Sequence, residues 1–76
     1  MQPGDLRRFR DGLEGSGRTE RVSGQPFVII NVQPQRQRRG LTPRVARTDF
    51  LIDGRIETGW SLMWVMNNSE VINEAR

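Results

Sequence analysis

The chain has 76 residues and a mass of 8.8 kDa, enough for one small domain that buries roughly 60% of its unfolded surface. Hydrophobic residues make up 34% of it, too few for a thick multilayered core, and no run approaches the ~20 apolar residues that cross a bilayer. Cysteine, histidine, tyrosine and lysine are all absent, which excludes disulfides, thiolate zinc sites, imidazole or thiolate catalysis and lysine-dependent phosphate loops.

In chain order, Pro3-Gly4-Asp5 reads as a turn and Leu6 to Arg10 as a short first strand. Its arginines predict a half-solvated or edge position. Residues 11–25 hold four glycines, at positions 12, 15, 17 and 24, and show neither helical nor strand periodicity. They read as a long loop, flexible at Gly15-Ser16-Gly17. Pro26 then opens Phe27 to Val32, a β-branched and aromatic run apolar on both faces, which predicts a central strand. Residues 33–42 follow as an exposed basic loop.

Arg44 to Ile52 reads as a third strand that turns Ala46, Thr48, Phe50 and Ile52 to the buried side. Asp53-Gly54, between apolar flanks, predicts a two-residue type I′ hairpin turn with positive φ at both positions. Arg55 to Trp60 forms the fourth strand, and Gly59 inside it predicts a bulge or the close approach of another backbone. Ser61 to Trp64 fits one 3₁₀ turn capped by Ser61. Asn67-Asn68-Ser69 is a further turn, Glu70 to Asn73 a last strand, and residues 74–76 a fraying end.

These elements predict a single all-β domain over residues 1–76, a small five-stranded barrel left partly open, with one 3₁₀ turn. The expected core is Leu6, Phe9, Phe27, Ile29, Val32, Val45, Phe50, Ile52, Ile56, Leu62, Val65 and Ile72. An α+β alternative, helical from Ser61 to Ala75, is disfavoured by Asn67-Asn68-Ser69 and by β-branched Val65, Val71 and Ile72.

All twelve basic residues are arginine, and the net charge of +3 is unevenly placed. Residues 1–17 balance. Residues 18–48 set seven arginines against Glu20 alone, a net +6, and residues 49–76 carry a net −3. The densest cluster is Arg36, Arg38 and Arg39 in the basic loop, followed by Arg44 and Arg47. Arginine's planar donor fork suits phosphates and carboxylates, although a coding bias towards arginine is the simpler explanation of the missing lysine. A second cluster is apolar: Trp60, Met63, Trp64 and Met66.

Four segments together resemble small phage-encoded SH3-like barrel proteins. They are Pro3-Gly4-Asp5-Leu6, the apolar strand Phe27 to Val32, Phe50-Leu51-Ile52-Asp53-Gly54-Arg55-Ile56-Glu57, and the turn at Ser61-Leu62 with the later Glu70-Val71-Ile72. The likeness covers both ends of the chain and little of 11–25 or 33–44. It departs from the group at Arg7, where a small apolar residue is usual, and in the longer spacer from Met66 to Ser69. It implies an SH3-like barrel of phage or mobile-element origin, with no assigned activity.

The expected function is a non-enzymatic protein-interaction module that docks on a larger protein, a virion component or a host factor. Its candidate anchors are Trp60, Met63, Trp64 and Met66; at least one tryptophan is expected to close an end of the barrel. The alternative is a nucleic-acid-binding protein that uses Arg36, Arg38, Arg39, Arg44 and Arg47, and a third possibility is head-to-tail self-assembly through the oppositely charged surfaces. No cofactor, metal or membrane partner is expected. A carboxylate pair such as Asp53 and Glu57 is better explained at Asp53 by the turn. The N-terminus lacks the apolar stretch of a signal peptide, so the expected location is the host cytoplasm or the virion.

Overall fold

The computed structural model describes residues 1–33 and 46–73. The elements are β1 (Leu6–Phe9), α1 (Gly17–Val22), β2 (Pro26–Gln33), β3 (Arg47–Ile52), β4 (Arg55–Ser61), α2 (Leu62–Asn67) and β5 (Ser69–Asn73). The strands form one five-stranded antiparallel sheet in the order β4-β3-β2-β1-β5. Strands β1 to β4 are neighbours in sequence order, and β5 returns to the free side of β1. The protein is therefore all-β with two short helices. Among the described residues no backbone pairing joins β4 to β5; α2 packs against both.

The inner face is built by strict alternation. Phe9 on β1, Phe27 and Ile29 on β2, and Phe50 and Ile52 on β3 are all buried, and Val65 of α2 and Val22 of α1 complete the layer. Every aromatic residue of the chain joins one cluster. Phe9 is its hub: its ring centroid lies 4.1 Å from that of Phe27, 5.5 Å from Phe50, 5.9 Å from Trp64 and 6.4 Å from Trp60. Such packing adds to area burial, at about 0.5–1.5 kcal/mol per well-placed pair.

The hairpin between β3 and β4 forms as expected, with φ of 49° at Asp53 and 73° at Gly54. The expected bulge at Gly59 is present too. Thr48 pairs with Trp60 and Phe50 with Glu57, so Asp49 faces both Thr58 and Gly59. Gly59 has φ of 71° and donates its N–H to Asp49 Oδ1 at 2.9 Å. A second bulge lies on the other side of the same residue: Asn31 of β2 pairs with Asp49, and Ile30 is the extra residue.

Other expectations are corrected. Strand β1 is half-solvated, with Arg8 exposed, but it lies between β2 and β5 rather than at an edge, and Arg7 is buried. Its Nε donates to Ser69 Oγ at 2.9 Å and its Nη2 to Ser69 O at 3.2 Å, which absorbs the donors that favoured solvent. Residues 11–25 are not a featureless loop, because α1 forms within them. Ser16 caps it by accepting from the Thr19 N–H, and Val22, fully buried, anchors it to the core. The segment is closed at its base by Gly24 N–H to Arg10 O at 3.0 Å and Phe9 N–H to Gln25 O at 3.0 Å. The expected 3₁₀ turn is a six-residue α-helix, α2, capped by Ser61 as anticipated. Asn67 belongs to that helix, and Asn68 closes it with its N–H on Trp64 O at 3.1 Å.

Within the expected core, Ile56 is 64% and Ile72 51% exposed, while Leu6, Val32 and Leu62 are half-buried. Register explains Ile56: it pairs with Leu51 on the outer face, and its neighbours Arg55 and Glu57 take the inner one. Ile72 is the extra residue of a bulge between Val71, which pairs with Arg7, and Asn73, which pairs with Leu6. Val45, the start of the third strand at Arg44 and the fraying end at 74–76 lie outside the described residues.

Candidate interaction surface

Helix α2 begins where β4 ends. Ser61 is the last residue of the strand and the cap of the helix, and Leu62 donates its N–H to Ala46 O at 2.9 Å, tying the junction to the start of β3. With Val65 pointing into the core, helical geometry puts Met63 and Met66, three residues apart, together on another side. Met63 is 70% exposed and Met66 45%. Trp64 is half-buried: its ring packs 5.3 Å from Trp60 and 5.9 Å from Phe9, with its remaining surface open. The structure thus gathers Met63, Trp64 and Met66 on one short helix. It removes Trp60 from the candidate anchors, because Trp60 is only 6% exposed and belongs to the core. Its ring packs 5.5 Å from Phe50 and 5.3 Å from Trp64.

Trp60 has a neighbour that the sequence did not suggest. Arg18 of α1 lies over its ring, with Cζ 4.1 Å from the centroid, and donates from Nη2 to Thr58 O at 2.9 Å. On the same strand Arg47 donates from Nη1 to Gly59 O at 2.8 Å. One residue further back, Glu57 receives Arg21 at 3.4 Å and Arg55 at 3.8 Å. Neither approach has hydrogen-bond geometry, and Glu57 Oε1, Arg55 Nε and Trp60 Nε1 are buried without a hydrogen-bond partner among the described residues. The carboxylate is held by surrounding positive charge. Arg18, Arg21, Arg47 and Arg55 therefore line β4, where only Arg47 was expected to matter. The missed signal was the arginine pair in Ser16-Gly17-Arg18-Thr19-Glu20-Arg21, legible once those residues are known to be helical.

Arg36, Arg38, Arg39 and Arg44 lie outside the described residues. Among the described residues, no grouping of three or more carboxylates is placed to hold a metal ion, and no helix is long and apolar enough to cross a membrane. Asp53 and Glu57 do not face each other directly: Arg55 stands between them, 3.5 Å from Asp53 and 3.8 Å from Glu57. Comparison of the chain with protein-family models, with curated proteins and with solved structures finds no match.

Proposed function

We propose that this protein is a non-enzymatic interaction module that docks on a larger protein through α2, with Trp64 as the anchor and Met63 and Met66 beside it. The observation that carries this reading is the exposure of both methionines next to a half-buried tryptophan on a helix whose position is already set by Val65 and the Ser61 cap. Large, adaptable apolar side chains left open on so small a domain are what a docking surface supplies. The strand order, with β5 returning to β1 and α2 filling the gap beside β4, supports reading the sheet as a partly open SH3-like barrel. The resemblance carried by Pro3-Gly4-Asp5-Leu6 and Asp53-Gly54 supports a phage or mobile-element origin, with a virion component or host factor as the partner.

A pull-down with the intact chain, repeated with a Met63→Ser/Met66→Ser variant, tests the proposal. The expected result is a specific partner lost from the variant while the melting temperature holds. Retention of every captured protein by the variant would remove α2 from the interface.

A second reading, nucleic-acid binding, is favoured by Arg18 and Arg47 converging on the adjacent carbonyls of Thr58 and Gly59. Both place positive charge beside β4, where it would face a phosphate. A gel shift at low salt separates the readings: no retardation of DNA or RNA rejects the second, and retardation with a salt slope that falls in Arg18→Ala and Arg47→Ala supports it.

A further inference from the structure

The outer face of the sheet carries a row of aliphatic side chains that neither helix covers. Register places Leu6 opposite Val28, Val28 opposite Leu51 and Leu51 opposite Ile56. At the other end Ile72 stands beside Asn73, the partner of Leu6, as the extra residue of its bulge. From β5 to β4 the row reads Ile72, Leu6, Val28, Leu51, Ile56. It is a palindrome centred on β2. Leu51 is 44% exposed, and Ile72 and Ile56 are each more than half exposed.

A two-fold interface needs a patch that complements itself, and when a second copy is turned about β2 each aliphatic side chain of this row meets another aliphatic one. Charge follows the same symmetry. Arg8 pairs with Pro26 on one side of β2, and continuation of the β2–β3 register from Phe27 and Ile52 sets Asp53 level with Pro26 on the other. Arg8 is exposed and the Asp53 side chain is 73% exposed. We infer that the outer sheet face is the interface of a homodimer whose two-fold axis runs along β2. Val28 then meets Val28 of the second copy, Leu6 meets Leu51, Arg8 meets Asp53, and Ile56 and Ile72 close the rim. Two sheets packed this way lie about 10 Å apart and share one apolar layer. The dimer closes on itself, unlike head-to-tail assembly of basic on acidic surfaces. It also leaves α2 free for the larger partner.

Light scattering on the intact chain at about 100 µM reads the first outcome. A mass twice 8.8 kDa, kept in ~1 M salt where exposed charge pairs are screened, supports the inference. A monomer, or a ladder that dissolves in salt, overturns it. Leu51→Glu should return the monomer mass with unchanged circular dichroism and a melting temperature that no longer rises with protein concentration. Because the chain has no cysteine, crosslinking locates the axis directly. Val28→Cys, whose two copies lie about one sheet spacing apart across the axis, should be captured as a covalent dimer by a short bis-thiol crosslinker, and Ile56→Cys, which faces Ile72 of the other copy, should not. Equal crosslinking at both positions, or none at Val28→Cys, overturns the assigned geometry.

Discussion

The two helices are built alike and present unlike surfaces. Each has six residues, each is capped by a serine, and each sends one fully buried valine into the core, Val22 from α1 and Val65 from α2. In α1 the two arginines fold back over the molecule's own surface: Arg18 covers Trp60 and Arg21 approaches Glu57. In α2 Met63 and Met66 face outward, and only Trp64 shares its surface with the core. A cap and one buried side chain are enough to place a single-turn element. What the element does is then decided by residues that have no part in placing it.

The largest effect should come from what lies beneath both helices. Phe9 stacks on Phe27 and touches Trp64 of α2 and the Trp60 ring that α1 covers. Phe9→Ala should cost about 3–5 kcal/mol, enough to leave a domain of this size largely unfolded in a urea titration. The equivalence of the helices is tested next, by Val22→Ala and Val65→Ala. Each should lose about 2 kcal/mol, and a Val22→Ala variant with wild-type stability would show that α1 is not an integral part of the fold.

Smaller again are the caps. Ser16→Ala and Ser61→Ala should each cost about 1 kcal/mol in chemical denaturation, with Ser16→Gly and Ser61→Gly restoring most of it. The smallest effect sharpens the contrast between the helices. Arg18→Ala should cost about 0.5–1 kcal/mol and shift Trp60 fluorescence to the red as water reaches the ring, whereas Met63→Ala should change stability by less than about 0.5 kcal/mol.

Much of the sheet was legible because its signals are local. Asp53-Gly54 demands positive φ whatever surrounds it, and the apolar run from Phe27 marks a central strand, of which Phe27 and Ile29 are buried and Ile30 is exposed. The alternation Thr48, Phe50, Ile52 carries its own burial. Helix α1 was hidden because Gly17 weakens it and six residues show no periodicity, so only the Ser16 cap marked it. The inversion at Arg55-Ile56-Glu57 was unreadable for a different reason. An isoleucine between two charged residues predicts burial of the isoleucine, and Arg21, far away in sequence, is needed beside Arg55 to make an inner-facing Glu57 tolerable. Of the candidate site, the apolar cluster was found and Trp60 misassigned, because a tryptophan's sequence neighbours do not say on which side of a bulge it falls.

That bulge decides more than local shape. Side chains of a strand alternate faces, so counting from inward Glu57 an unbroken β4 would send Trp60 out to solvent. The surplus residue opposite Asp49 resets the parity. Remove it, and the indole, the serine after it and the whole reading frame of α2 swing to the opposite face, leaving Phe9 and Phe50 with an open side and Arg18 with nothing to lie on. One added backbone unit thus serves as a switch of phase, and every contact from Trp60 onward depends on its setting.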